Sequence, residues 1–463
     1  MVSPVSGRPP SARAAALEAL RQVDEGEGFL RDELHGVFDR IDLEPRDRAL
    51  ATQLAAGAIR HRRTLRLILS HLRGDRGRET AIQPELRRVL ELGAFQLLFL
   101  DRVPAYAAVN EAVEQARQGL DRRRGEKAGG FVNGMLRGLG RLIVGREADG
   151  SPAPDALPHP DGGIVRLREA VLPDPKHSIA AFLGAAYSYP DWLVAKWVGQ
   201  FEEQGAEEIC CWGNRRPRMF ARLNPLVDAA GRLAAAGLPA TLPPGPRSGS
   251  VDVSDLAMDV LEPLLAEGVL TIQDPSAMAA AEALAPAPGE SVLDLCASPG
   301  TKTTQIVERM GDRGGVVACD RSEDKLDPIR RTVAARRLAS VKVCLSSDAD
   351  VAAPPGGFDA ALVDAPCSNT GVLARRADAR WRLRAEDIED LPHTQLELVE
   401  RAAGLARPGG RLVYSTCSLQ REENEEVVEA FVAGHPKWRF DRSEFILPGP
   451  TCDGAFWALV RRT

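Results

Sequence analysis

Five short apolar runs, SVLDLCA, GVVACD, VKVCLS, DAALVDAP and GRLVYSTC, recur between residues 291 and 417, each bounded by turn residues. Helical stretches such as TKTTQIVERM, EDKLDPIRRTVAARRL and HTQLELVERAAGLA lie between them. Strands that are apolar on both faces and alternate with helices imply a parallel sheet covered on each side. Residues 271–463 are therefore expected to form an α/β domain. Ligands of such domains bind outside the carboxyl ends of the strands. That rule directs attention to CASPG, Asp320, Asp348, DAPCS and STCS.

The rest of the chain reads differently. Residues 1–145 carry apolar positions at helical spacing throughout, as in Leu50, Leu54, Ala58, Leu65, Leu69 and Leu72, and show no strand-like stretch. Ser11 suits a helix cap and Pro84 a first turn. An all-α bundle is expected. Residues 146–176, rich in Pro, Gly and Asp, read as a linker. Residues 177–270 alternate short helices and strands and are expected to form a small mixed α/β domain.

Composition narrows the function. With 44% hydrophobic and 27% charged residues over 463 positions, the chain suits a multidomain globular protein. It has no apolar run long enough to span a membrane, and Met1–Arg13 lack the apolar core of a secretory signal. Eight cysteines without a CxxC spacing suit reduced thiols in the cytoplasm. No metal motif is present, and nothing demands more than a monomer. The net charge is -6, yet residues 1–150 hold 25 Lys and Arg against 21 Asp and Glu. Arginines concentrate at Arg60, Arg62, Arg63 and Arg66, at Arg73, Arg76 and Arg78, and at Arg122–Arg124. Single clusters of this kind are usually solvated helix faces; three in one domain suggest a phosphate-contacting surface.

VLDLCASPGTKT reads as a strand, a glycine turn at Gly300 and a helix start, whose free N–H groups suit an anionic group. Asp320, twenty residues on, ends the next strand and suits the two hydroxyls of a ribose. Asp348 ends the third strand and suits the adenine or its ribose. Lys302 suits a negative charge. The turn lacks the GxxxxGK of a phosphate-binding loop and the GxGxxG of a dinucleotide site. A nucleoside with a short charged tail, such as S-adenosylmethionine, fits better than a pyrophosphate.

Cys367 in DAPCS and Cys417 in STCS follow strands at the functional edge, whereas Cys319 and Cys344 read as small buried hydrophobes. A thiolate added to carbon 6 of a cytosine makes carbon 5 nucleophilic enough to take a methyl group. A carboxylic group at Asp364 would stabilise the ring, and a second thiol would assist release. These residues alone leave open which cysteine attacks.

The run LDLCASPGTKTT, DAPCSNTGVL, RRADARW, GGRLVYSTCS, LQREENEEVVEAF and DGAFWALV resembles the RNA 5-methylcytosine methyltransferases of the Sun/Fmu type. NRRPRMFARLN and QDPSAM resemble that family's upstream motifs, and DRALATQLAAGAIRHRRTL, ELGAFQLLFLDRVPAYAAVNEAVE and FVNGMLRGL resemble the NusB-like domain of its bacterial small-subunit ribosomal RNA members. The resemblance implies a NusB-like RNA-binding bundle over 1–145, an RRM-like domain over 177–270 and a Rossmann-like methyltransferase domain over 271–463. It implies ribosomal RNA as substrate and S-adenosylmethionine as cofactor, held by Cys296, Ala297, Ser298, Pro299, Gly300, Thr301, Lys302, Asp320, Asp348 and Asp364. It makes Cys417 the nucleophile and Cys367 the group that assists release. Ser298 and Thr301 depart from the family loop CAAPGGKT, Ser347–Asp348–Ala349 from its GDG, and Ala377 from a common proline. Two other readings are a non-catalytic RNA-binding assembly factor and a DNA cytosine-5 methyltransferase, in which the Pro-Cys thiol of Cys367 would attack.

Overall fold

The computed structural model describes residues 11–26, 28–74, 82–118 and 120–463, so Arg76 and Arg78 lie outside the described residues. The chain divides into two compact units: residues 1–216 with 376–382, and residues 217–375 with 383–463.

The first unit opens with seven helices, α1 (Ala12–Glu25), α2 (Leu30–Arg40), α3 (Pro45–Arg60), α4 (Arg62–Arg73), α5 (Pro84–Phe99), α6 (Ala105–Arg117) and α7 (Arg122–Leu142). Ser11 Oγ accepts the Ala14 N–H at 3.2 Å and caps α1. Pro84 opens α5, where its missing N–H costs nothing. Helix α5 is apolar around most of its circumference and forms the centre of the bundle. It approaches α3 at Gly57, where a Cβ would fall 2.0 Å from the Phe95 ring. His61 is buried and stacks on Phe99 with centroids 4.4 Å apart. Burial holds its imidazole well below the ordinary range, so it stays neutral.

Residues 146–176 are not a bare linker. Strands β1 (Ile143–Glu147), β2 (Ala156–Pro158) and β3 (Ile164–Leu167) form an antiparallel sheet in the order β1-β3-β2. The few apolar residues there, Leu157, Ile164, Val165 and Leu167, are all buried and hold the strands together. Two further helices, α8 (Ile179–Tyr187) and α9 (Asp191–Trp212), belong to this unit and not to the mixed domain that their short spacing suggested.

Residues 376–382 are built into the same unit. Arg380 is fully buried, its guanidinium 3.8 Å over the Tyr189 ring. It donates to Ser188 O at 3.2 Å, Gly213 O at 3.0 Å and Asn214 Oδ1 at 2.8 Å. Trp381 Nε1 donates to Ile59 O at 2.9 Å, and Asp378 accepts the Leu30 N–H at 2.7 Å.

The second unit begins with a small antiparallel sheet, β5-β4-β6, of β4 (Phe220–Leu223), β5 (Ser250–Asp252) and β6 (Leu270–Ile272), with helices α10 (Ala229–Ala235) and α11 (Met258–Ala266). The main domain follows with α12 (Pro275–Leu284), β7 (Ser291–Asp294), α13 (Thr301–Met310), β8 (Gly315–Asp320), α14 (Glu323–Arg336), β9 (Val341–Leu345), β10 (Phe358–Asp364), β11 (Ala406–Thr416), β12 (Trp438–Ile446) and β13 (Ala455–Arg462). Arg222 of β4 pins the small sheet to this domain: it is buried and bonds both oxygens of the buried Glu308 in α13, at 2.6 and 3.0 Å. A bidentate pair of this kind is directional as well as strong.

The seven strands run β12-β13-β11-β10-β7-β8-β9. Strands β11, β10, β7, β8 and β9 are parallel, and β13 is antiparallel to both neighbours. Alternate residues feed two cores: Val292, Ala360, Leu362, Val413 and Leu459 on one face, Leu293, Ala361, Val363, Leu412 and Val460 on the other. This is the doubly covered sheet that the continuous apolar runs dictate. The strand order reverses between β7 and β10, which opens a crevice at their carboxyl ends.

Candidate active site

The crevice collects its functional groups by strand ending. Asp294 closes β7, Asp320 closes β8, Asp364 closes β10, and Cys417 follows β11. Asp364 and Ser415 are register partners on β10 and β11, and Ser415 Oγ donates to Asp364 Oδ1 at 2.8 Å. The other oxygen of Asp364 takes Lys302 Nζ at 2.5 Å. Burial acts against the Lys302 charge, but Asp364, Cys417 and Asp294 outweigh it and hold the ammonium above its ordinary range. Lys302 is thus committed to Asp364 and not left free for an anion on the ligand.

Cys367 Sγ and Cys417 Sγ lie 3.3 Å apart. Asn369 orients them from a left-handed turn, φ 60°. Its Oδ1 accepts from Cys417 Sγ at 3.5 Å and its Nδ2 donates to Cys367 O at 2.8 Å. The hydrogen bond with Cys417, then burial, pushes the Cys367 thiol well above its usual range. Cys367 is thereby held protonated.

A buried polar network supports both cysteine loops. Glu423, fully buried, accepts from Ser368 N at 2.8 Å, Gln395 Nε2 at 3.0 Å and Ser418 Oγ at 2.6 Å. Ser368 follows Cys367 and Ser418 follows Cys417, so one carboxylate fixes both loops. Asn424 Nδ2 donates to Ser418 O at 3.0 Å and its Oδ1 accepts from Thr416 Oγ1 at 2.5 Å. In the sequence Glu423 and Asn424 stand only within the family-like run LQREENEEVVEAF, with no role attached.

Residues Cys296–Lys302 turn between β7 and α13. Gly300 sits at φ 102°, a conformation L side chains avoid, and caps α13. Thr301 opens α13 with negative φ, so the departure from the family loop costs no strain. Ala297 N donates to Cys319 O at 2.8 Å and Ser298 N to Asp320 Oδ2 at 3.1 Å. Burial pushes the Cys296 thiol far above its ordinary range. Asp320 is buried and takes its two hydrogen bonds within 3.1 Å from backbone N–H groups, of Ser298 and Arg321. Its remaining lone pairs suit hydroxyl donors. Asp348 stands exposed beyond β9, with Ser347 Oγ 3.2 Å away.

Asp294 went unnoticed in the sequence. It is fully buried, accepts from Thr303 Oγ1 at 2.7 Å through one oxygen and leaves the other without a partner. Burial, with Asp364 and Asp320 nearby, raises it to about 7. A buried carboxyl oxygen without a partner, close to the Cys296–Lys302 turn in sequence, marks a position suited to a cationic or hydroxyl-bearing group. Its position at the end of VLD, one strand along from Asp364, was the available signal.

The first arginine cluster does not form a phosphate surface. Arg62 pairs with Asp24 at 2.7 Å, Arg63 with Asp191 at 2.6 Å and Arg66 with Glu91 at 2.7 Å. Burial and Arg380 draw Arg60 down to about 10. These charges are spent inside the bundle. No helix among the described residues is long and apolar enough to cross a membrane.

Comparison with known proteins gives this geometry a family. Residues 281–449 match the family 16S rRNA methyltransferase RsmB/F, and residues 10–141 match the NusB family. The probable ribosomal RNA small subunit methyltransferase B of Synechocystis is 35% identical over 95% of this chain and 92% of its own. The ribosomal RNA small subunit methyltransferase B of Vibrio cholerae is 31% identical over 98% of both chains. The solved structure of NSun6 from Pyrococcus horikoshii with SFG covers 60% of this chain and 99% of that one, at 18% identity and TM-score 0.51. The chain, a NusB-type helical domain followed by a Rossmann-like catalytic domain, belongs to the ribosomal RNA small subunit methyltransferase B family.

Proposed function

We propose that the protein methylates carbon 5 of a cytosine in small-subunit ribosomal RNA, with S-adenosylmethionine as donor and Cys417 as nucleophile. The observation that carries this reading is the pair of thiols 3.3 Å apart beside the Lys302–Asp364 ion pair, at the ends of adjacent strands. S-adenosylmethionine, when bound, supplies an electrophilic methyl on a positively charged sulfur. Gly300, Asp320 and Asp294 would hold it, the first by its backbone and the others through hydroxyl or cationic groups.

The chain's own residues account for the remainder. Cys417 attacks as the thiolate, and Cys367 keeps its proton, held by its hydrogen bond with Cys417 and by burial. The Cys417 thiolate adds to carbon 6 of the cytosine, and a bond forms from sulfur to carbon as the ring electrons shift towards carbon 5 and N3. Asp364, held by Lys302 and Ser415, faces N3 and passes to it the proton that Cys417 gives up, so that the ring carries no net negative charge. Carbon 5 takes the methyl group, then loses its proton to a base, and the carbon–sulfur bond breaks to restore the ring. Cys367 sits beside the departing sulfur and assists its release. Glu423 positions the two thiols from behind, through Ser368 and Ser418, whereas Asn369 positions them by direct contact with Cys417 Sγ and Cys367 O.

The test is covalent capture of small-subunit ribosomal RNA containing 5-fluorocytosine, since fluorine cannot leave carbon 5 as a proton does. Wild type and Cys367→Ala should trap the RNA in the presence of S-adenosylmethionine, and Cys417→Ala should not. Capture lost in Cys367→Ala and kept in Cys417→Ala would reverse the roles.

A further inference from the structure

The first unit carries a second surface that the catalytic reading leaves unused. On α7, residues Arg123, Lys127, Gly130, Gly134, Arg137 and Arg141 are all exposed. At 3.6 residues per turn they fall within roughly 40° of one line along the helix. Cations occupy both ends of the line, and the two turns between are bare glycine. Lys127 and Arg137 stand roughly 15 Å apart along the axis, and Arg123 and Arg141 roughly 27 Å. Among the described residues none of the four has a carboxylate within salt-bridge distance. Their neighbours differ: Arg122 pairs with Glu126 at 3.1 Å and Arg124 with Asp121 at 3.3 Å.

A groove of about 330 Å³ runs beside the same helix, lined in part by Leu72, Gly134, Gly138, Arg141 and Arg168. A Cβ at Gly130 or Gly134 would meet nothing within 4 Å, so packing does not require glycine at either place. Glycine in an exposed helix interior is less stable than alanine. The inner face of the helix, by contrast, is a normal core of Val132, Leu136, Leu139 and Leu142. Gly129 on the packed side of α7 is also glycine, but there a Cβ would fall 2.7 Å from Arg117 and 3.2 Å from Val113, so packing accounts for that one and not for Gly130 or Gly134.

We infer that this face of α7 holds the sugar–phosphate backbone of the ribosomal RNA substrate. Unpaired cations at the ends would take phosphates, and the glycines would let the sugar–phosphate ridge lie directly on the helix. A protein partner would call for an apolar centre, and Phe131, 37% exposed, is the single large apolar side chain on the exposed surface of α7, too little to form one. The inference rests on the reading that RNA is the substrate and names where the N-terminal unit holds it.

The test uses the full chain and unmodified, end-labelled small-subunit ribosomal RNA, with affinity followed across a salt series. The double variant Arg137→Ala/Arg141→Ala should bind roughly tenfold more weakly and lower the slope of log K against log salt by about 1.5. Gly134→Gln fills the bare turn and improves helix propensity. It should melt no lower than wild type and still bind the RNA several-fold more weakly, which separates the effect from unfolding. Arg122→Ala, off the line and already paired, should bind as wild type. Wild-type affinity and slope in either the double variant or Gly134→Gln overturns the inference and leaves the face to a protein partner. Parallel samples given S-adenosylmethionine are analysed for 5-methylcytidine: its absence with wild type refutes the cytosine reading without altering the salt slopes.

Discussion

Asp294 gives a pH signature that its burial makes large. In the unfolded chain its carboxyl titrates near the ordinary 3.8, and in the fold it is raised to about 7, first by burial and then by Asp364 and Asp320. Below about pH 4 it is protonated in both states, and its contribution to stability is intact. As pH rises towards 7 the unfolded chain sheds the proton while the fold retains it, and stability falls by roughly 1.4 kcal/mol per pH unit. The loss reaches roughly 4 kcal/mol by pH 8. Asp294→Asn is neutral at every pH and escapes it. Relative to wild type the variant should therefore gain roughly 2.5 kcal/mol between pH 5 and pH 8. Any fixed cost of seating the amide beside Thr303 cancels in that difference. A global melt mixes two units, so the assay is hydrogen exchange of the β7 peptide in graded urea, which reads the catalytic sheet itself. An equal gap between the two proteins at pH 5 and pH 8 would refute the reasoning.

Other outcomes follow from the same site. Gly300→Ala forces a Cβ into a conformation that costs about 1–2 kcal/mol; S-adenosylmethionine should bind several-fold more weakly by calorimetry, with the sheet intact by circular dichroism. Glu423→Gln turns one of its two acceptors into a donor, which then faces either the Ser368 and Gln395 N–H groups or the Ser418 hydroxyl. It should cost about 3 kcal/mol of stability, and 5-fluorocytosine capture should slow because both cysteine loops lose their shared anchor.

The sequence disclosed the parallel sheet and its functional edge because strands buried on both faces leave continuous apolar runs, as in VLDL and AALVD. It pointed to Cys367, Cys417, Asp364 and Asp320 because each ends or follows such a run. Glu423 was hidden for a physical reason: it lies among Glu422, Glu425 and Glu426, and a single turn at Arg421–Glu423 aims it inward, where it is buried. Composition cannot tell that carboxylate from its solvated neighbours. The arginines of α3 and α4 misled in the opposite sense, since Asp24, Glu91 and Asp191, distant in sequence, neutralise them. Residues 146–176 looked like a linker because three strands of three to five residues need few apolar side chains to hold them. The limit at residue 177 missed the real boundary because α8 and α9 declare helices without declaring which core they join.

The placement of Arg376–Arg382 bears on how the protein is made. Tyr189, Gly213 and Asn214 surround a place for Arg380 that stays empty until more than about four-fifths of the chain has been synthesised. A ribosome stalled after residue 216 would present a helical bundle with carbonyls turned towards a missing cation. Completion of the first unit during translation is thus delayed until most of the catalytic strands have already emerged, and a gene fragment ending at residue 216 encodes an unfinished object.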